Sequence, residues 1–295
     1  MIRIATRSSA LAKAQASQVA EMLGGAELVE VSSNGEMGDK GRFVRGVEGA
    51  LLAGEAEIGV HSAKDVPAEM AEGLAIAAVP AREDSADVWV GVGSSLDEVP
   101  EGARVGTASL RRRAQLLAAR PDLRVEDLHG NVDTRLRKLA EGGLDGIVLA
   151  AAGLRRLGRE DEAAFALPAE TMIPAAGQGA LLLQTRDDDS ASLDAAAEIG
   201  DETALRELTA ERTVVALLEA TCASPIGVHA SAGAGDEGDP GSLTIEAFVG
   251  LPDGSEWVRD RLDVDAADPA AVGARLAERL ASAGARDLLD RAQTM

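Results

Sequence analysis

IRIAT (residues 2–6), SSALAKAQASQVAEML (8–23) and ELVEVS (27–32) follow one another at the start of the chain, and their order decides the fold. The first and third are short apolar runs of strand length. The second spaces Ala, Leu and Val at helical intervals behind Ser8 and Ser9, residue types that start helices. A strand, a helix and a strand within so short a span make the two strands parallel, because the helix carries the chain back to the same end of the sheet. Outward from this unit the alternation continues with a helical VEGALLAG (47–54) and the strand-like EIGVHS (57–62) and LAIAAVP (74–80). The expectation is a largely parallel α/β sheet with helices on both faces.

A composition shift at PAREDSA (80–86) marks a crossover. After it, DVWVGV, ARVGT, the helix SLRRRAQLLAAR, LRVEDL, the helix VDTRLRKLAEG and DGIVLAAAGL repeat the pattern as a second α/β domain. In TMIPAAGQGALLLQT (171–185) the run GALLLQT is strand-like with no helical partner of its own nearby, so the chain is expected to return to the first sheet. ETALRELTAERTVVALLEA (202–220) is helical, with Leu205, Leu208, Val215 and Leu218 at helical spacing. Beyond the loop ATCASPIG come VHASAGA, LTIEAFVG and WVRDRLDV, separated by GDEGDPGS and LPDGSE, and then a helix AAVGARLAERLASAGA. Turns of that kind between strands predict a small antiparallel sheet covered by a helix. The expected division is 1–80 with 179–199, then 85–173, then 202–295.

Fifty acidic residues against 29 basic ones give a net charge of -21, and only four of the basic residues are lysine. So acidic and lysine-poor a surface reads as adaptation to high salt, where screening suppresses its self-repulsion, with a mesophilic acidic protein as the plainer alternative. It repels nucleic acid and anionic lipid except where basic residues gather. The single cysteine permits no internal disulfide and points to a reducing compartment. MIRIATRSSALAKAQ lacks the apolar core of a signal peptide, and no apolar run approaches 18 residues, so a soluble, cytoplasmic protein is expected. With no tyrosine and 2% aromatic residues, stacking platforms for single-stranded nucleic acid are missing.

Against that anionic background, Arg104 to Arg137 holds eight arginines and only four acids, Asp122, Glu126, Asp127 and Asp133. Guanidinium forks beside Thr107, Ser109 and Asn131 are groups that grip carboxylate or phosphate oxygens. In open α/β sheets ligands bind at the carboxyl ends of strands, where Thr6, Arg7, Ser8 and Ser9, then His61, Ser62, Lys64 and Asp65, then Thr107, Ser109, Arg111 and Arg112 all fall. Two such domains facing each other make an anion-lined cleft, like the lobes of solute-binding proteins. Each residue has a plainer reading. Ser8, Ser9 and Ser109 serve equally as helix caps, Arg113, Arg120, Arg124 and Arg137 as solvated faces, and His61 as a core hydrogen-bonder or a proton shuttle. Asp65, held before Val66 and Pro67, is either a turn cap or a carboxylate that stabilises positive charge on a substrate. Cys222 is either a small buried hydrophobe or, in its Pro-bounded loop, a nucleophile or covalent attachment point. Three scattered histidines and one cysteine offer no metal-ligand spacing, and no GxxxxGK[ST] loop supports phosphoryl transfer.

Taken together, RIATRSSALAKAQA (3–16), HSAKDVP (61–67), GTASLRRRAQL (106–116), GNVDTRLRKL (130–139), LAAAGLRRLG (149–158), IPAAGQGAL (173–181), ETALRELTAER (202–212) and CASPIG (222–227) resemble one family in order and over almost the whole chain, porphobilinogen deaminase, also called hydroxymethylbilane synthase. The resemblance implies two doubly wound, periplasmic-binding-protein-like (type II) α/β domains plus a small α+β C-terminal domain with a three-stranded antiparallel sheet. It implies a monomeric transferase of porphyrin biosynthesis that condenses four porphobilinogen units into the linear tetrapyrrole hydroxymethylbilane and releases ammonia at each step. It also implies a dipyrromethane cofactor bound by a thioether to Cys222 and contacted by Lys64, Ser9, Ser109, Arg111 and Arg112. Asp65 is the implied catalytic carboxylate; Arg7, Arg135, Arg156, Thr107 and Gln178 are the implied substrate contacts. No metal, nucleic acid or membrane is implied. His129 stands where the family usually has arginine, the loop SSNGEMGDKGRF (32–43) is shortened around Lys40 and Phe43, and Ser8, Ala10 and Lys13 also differ from common family choices. A non-catalytic two-lobed anion receptor is the alternative, though it leaves Cys222 and the third domain unexplained.

Overall fold

The computed structural model describes residues 1–32, 42–221, 223–232, 242–265 and 268–295, and of residues 42 and 43 the backbone alone. The chain forms two compact units, 1–83 with 179–206 and 84–178 with 207–295. In chain order the first unit opens with β1 (Arg3–Arg7), α1 (Ala10–Met22), β2 (Glu27–Val31), α2 (Arg42–Leu52), β3 (Ile58–Ser62) and β4 (Leu74–Ala78). The second begins with β5 (Asp87–Gly91), β6 (Arg104–Gly106), α3 (Leu110–Ala119), β7 (Arg124–Glu126), α4 (Val132–Ala140), β8 (Gly146–Ala150), α5 (Ala151–Arg156) and β9 (Phe165–Ala166). The chain then supplies the first unit with β10 (Leu181–Arg186) and α6 (Ser190–Ala197) and continues through α7 (Glu202–Leu217). It ends in the second unit with β11 (Ile226–Ala232), β12 (Ser242–Gly250), β13 (Trp257–Asp265), α8 (Pro269–Ser282) and α9 (Ala285–Ala292).

The first sheet has the order β2-β1-β3-β10-β4 and the second the order β7-β6-β8-β5-β9. In each, the strand in fourth place, β10 or β5, runs antiparallel to both neighbours while the pairs around β1 and around β6 are parallel. The expected return of GALLLQT is therefore present, as the antiparallel strand of the first sheet. Strands buried on both faces alternate between two cores. Ile4 joins Val19, Ile58, Leu183 and Ala196 on the α1 and α6 side, while Ala5 joins Val47, Leu51 and Leu74 on the α2 side. In the second sheet Trp89 and Val105 pack with Leu116 of α3, and Val88 and Ile147 pack with Leu136 of α4. Helices on both faces of a mostly parallel sheet are the doubly wound arrangement expected from the alternating pattern.

The remaining sheet, β11-β12-β13, is wholly antiparallel and is covered by α7, α8 and α9, which share one core with it. Three helices lay beyond the sequence reading, the first being α5, which begins inside the strand-like run DGIVLAAAGL. Ser190–Ala197 follows the returning strand, capped by Asp189, and Gly284, with φ of 98°, separates α9 from α8. Leu205, taken for part of the apolar stripe of α7, is 41% exposed, whereas Glu211 on the same helix is fully buried. No helix among the described residues is long and apolar enough to cross a membrane.

Candidate active site

Strand order fixes where ligands meet the first sheet. The chain leaves β1 toward β2 on one side and returns to β3 on the other, so the carboxyl ends of β1 and β3 diverge and open a crevice. Arg7 ends β1, and Ser62 is followed by a short 3₁₀ turn, Ala63–Asp65, closed by Val66 N–H donating to Ala63 O at 3.2 Å. Arg7, Gln15, His61, Ser62 and Asp65 line one pocket there, with Ala12, Val44 and Val60 as its apolar wall. Ser9 caps α1, its Oγ accepting from Ala12 N–H at 3.3 Å, and buried Thr6 donates to Ala12 O at 3.0 Å. Lys64 and Asp65 are half-buried neighbours in the turn. His61 is buried, and its Nε2 lies 3.0 Å from Gln184 Oε1. Burial pushes its pKa down to about 4, with Arg7 adding to the fall and the Gln184 hydrogen bond opposing it. His61 is thus a neutral core hydrogen-bonder that also lines the pocket of Asp65.

The second sheet repeats the device at β6 and β8. Thr107 is buried just past β6 and its Oγ1 accepts from Ser109 N–H at 3.2 Å; Ser109 caps α3, with Arg112 N–H donating to its Oγ at 3.4 Å. Arg111 and Arg112 are both buried and converge on Asp87, the fully buried first residue of β5. Arg111 Nη1 donates to Asp87 Oδ2 at 2.6 Å and to Ile173 O at 2.8 Å. Arg112 donates from Nε and Nη2 to Asp87 Oδ1 at 3.0 and 2.8 Å, and from Nη1 to Val148 O at 2.7 Å. One carboxylate offsets two guanidinium charges, which leaves the buried cluster net positive. Burial holds Arg112 below the usual arginine range, against the pull of Asp87, with Arg111 lowering it further. Arg135 of α4 stands close enough for repulsion from Arg112 to help burial push its pKa down to about 10. Its Nε is buried and has no hydrogen-bond partner among the described residues. Arg156 lies half-buried in the last turn of α5. An excess of desolvated cation with an unsatisfied donor is costly until an anion supplies charge and acceptors.

Gln178 is fully buried and its Nε2 donates to Ser85 O at 2.7 Å, so it braces the two crossover segments to each other. Arg113 and Arg137 pair with Asp127 and Glu141, as solvated faces do, and Arg124 is exposed. Arg120 is not a solvated face: it is largely buried, pairs with Asp122 and donates to Leu96 O at 2.6 Å and Val99 O at 3.1 Å. His129 is exposed, and its carbonyl accepts from Lys138 Nζ at 3.4 Å. Cys222, Lys40 and the side chain of Phe43 lie outside the described residues. Asp87 is not among the sequence candidates, standing at the head of the strand-like run DVWVGV. An acid opening a run as apolar as VWV is the signal that marks it, since a carboxylate there must be paired.

Residues 2–194 match the model of the porphobilinogen deaminase, dipyromethane cofactor binding domain, and residues 205–282 match the porphobilinogen deaminase C-terminal domain. The chain is 41% identical over 303 residues to a porphobilinogen deaminase of Brevibacillus brevis, covering 97% of this chain and 96% of that one. It is 42% identical over 305 residues to that of Syntrophus aciditrophicus, covering 98% of each. Among solved structures it is loosely similar to a YaeC-family lipoprotein of Enterococcus faecalis, with a TM-score of 0.40 and 17% identity over 67% of this chain and 90% of that one. With model matches and close identity running nearly end to end, this chain belongs to the porphobilinogen deaminase family.

Proposed function

We propose that Asp65 is the catalytic carboxylate of this porphobilinogen deaminase and that the buried arginines bind the acetate and propionate groups of its substrate. The observation that carries the reading is the charge imbalance around Asp87, two buried guanidinium groups on one carboxylate with Arg135 Nε unpartnered beside them. Each pyrrole brings two carboxylates, the anions such a cluster accepts in bidentate pairs. Arg7, Arg111, Arg112, Arg135 and Arg156 are the proposed carboxylate contacts, and Lys64 and Thr107 are assigned to the same role. The hydroxyls of Ser9 and Ser109 cap helices through oxygen and keep a proton to donate.

Asp65 accepts the pyrrole N–H in this proposal. As ammonia leaves the aminomethyl carbon, positive charge spreads into the ring, and a fixed carboxylate in a poorly hydrated pocket favours that charge more than bulk water does. The dipyrromethane cofactor of the family fits the same residues, because its carboxylates answer the same excess of buried cation; when bound it supplies the primer to which substrate units are joined. We place its thioether on Cys222, the one cysteine of the chain. The remaining expectations belong to the same proposal, namely three domains at 1–80 with 179–199, 85–173 and 202–295, a cytoplasmic monomer, and adaptation to high salt. Gln178 is fully buried, and we assign it to bracing rather than substrate contact.

Ammonia release from porphobilinogen tests the assignment. Wild type is expected to turn over and Asp65→Asn to fold with turnover reduced at least a hundredfold; near-normal rates in the variant remove Asp65 from its role.

A further inference from the structure

Three polar side chains run inward from α2 to the Asp65 pocket. Gln184 of β10 is fully buried, with Nε2 3.1 Å from Glu48 Oε1 of α2 and Oε1 3.0 Å from His61 Nε2 of β3. Sheet register brings them together. His61 pairs with Leu182 and Gly59 with Gln184, so His61 and Gln184 are diagonal neighbours on the face that α2 covers. Gly59 makes the room, since a Cβ there would stand 2.6 Å from Val47 Cγ1 and 3.3 Å from His61 Nε2.

The chemistry of these groups fixes each proton. Gln184 donates from Nε2 to Glu48 Oε1, so its NH₂ is turned toward α2. Its Oε1 then faces His61 and only accepts, so the imidazole carries its hydrogen on Nε2. In a neutral ring that leaves the lone pair on Nδ1, which makes no hydrogen bond among the described residues, while His61 lines the same pocket as Asp65 and Arg7. Burial keeps the ring neutral there. A neutral acceptor beside a carboxylate suits a substrate that brings two kinds of N–H donor, a pyrrole and an aminomethyl ammonium. It accepts one of them without opposing positive charge at the other.

We propose that His61 is a second substrate-contacting acceptor beside Asp65, taking an N–H of porphobilinogen at Nδ1. Glu48 and Gln184 are positioning residues that hold the ring in the one tautomer able to do so. This rests on the function proposed above.

The test is nitrogen-15 imidazole spectroscopy of the full-length chain joined to steady-state kinetics. Three histidines keep the spectrum simple, and loss of one set of signals in His61→Asn assigns it. Wild-type His61 is expected to show a protonated Nε2 and an unprotonated Nδ1, and Glu48→Gln, which frees the amide to flip, to show a mixture. His61→Leu is expected to lower kcat/KM for porphobilinogen about tenfold or more, the scale of a lost hydrogen bond to a charged donor. His61→Asn, whose Oδ1 stands near the place of Nδ1, is expected to keep most of it. Wild-type His61 protonated at Nδ1, or a folded His61→Leu with unchanged kcat/KM, overturns the inference. A wild type that releases no ammonia while its His61 signals match expectation overturns the proposed function instead, and the substrate contact with it.

Discussion

Replacing Asp87 by asparagine keeps the shape of the side chain and removes its charge. In the native protein that carboxylate is fully buried and takes hydrogen bonds from Arg111 at 2.6 Å and from Arg112 at 2.8 and 3.0 Å. The arginine side chains are only 5% and 6% exposed, so water cannot replace the lost partner. Asparagine would also turn an NH₂ toward one guanidinium. Breaking a buried ion pair from one side costs about 3 to 5 kcal/mol, most of it the penalty of a charge left without a counterion. Both tryptophans, Trp89 and Trp257, lie in the unit that holds Asp87, so urea unfolding followed by tryptophan fluorescence reads that unit alone. Asp87→Asn is expected to lose that much stability. The combination Asp87→Leu, Arg111→Met and Arg112→Met is expected to recover most of it while weakening substrate binding, since an apolar replacement of a whole buried ionic cluster is often neutral. A loss below about 1 kcal/mol in Asp87→Asn would refute the picture of two cations dependent on one carboxylate.

Other outcomes follow from single features. His61 has its pKa lowered to about 4 from an ordinary 6.5, so it binds fewer protons folded than unfolded. Its stabilising contribution is whole above pH 6.5 and is lost as pH falls through about 4; it amounts to about 3 kcal/mol, seen as a shallower acid destabilisation of His61→Asn than of wild type. Gly146→Ala puts a Cβ 2.1 Å from Trp89 Cζ2, and overpacking of that kind is expected to cost about 1 to 3 kcal/mol in the same fluorescence measurement. With a net charge of -21, the thermal midpoint is expected to rise between 0.1 and 1 M potassium chloride, as screening shortens from about 10 to 3 Å; a midpoint that falls contradicts the high-salt reading.

How far the sequence could be read depended on the kind of signal. Periodicity carried the two α/β sheets, because strands buried on both faces leave continuous apolar runs such as IGV and GIVLA. It also showed the return of LLLQT to the first sheet, since a strand without a helix of its own must pair elsewhere. Helix caps were legible at Ser9 and Ser109, where a short hydroxyl residue precedes the periodic stretch. Pairings distant in sequence were not. Asp87 meets Arg111 and Arg112 some 24 residues on, and Gln184 meets Glu48 across 136, and neither spacing leaves a local trace. Glu211, a charged residue in a helical stretch, is buried with its oxygens accepting from Gly177 and Ala230 N–H at 2.6 and 2.8 Å. A charge that satisfies backbone donors inside a core cannot be told from a surface charge by composition. The same limit made the arginine island read as one anion site, when two of its members are first bound to an internal carboxylate.

The most direct test of the account is the intact mass of the purified protein. Wild type is expected to exceed the mass of its polypeptide by two linked pyrroles, and Cys222→Ala to lose that excess together with turnover of porphobilinogen. A wild type at its bare polypeptide mass that still releases ammonia, or a Cys222→Ala protein that keeps the adduct, would contradict it.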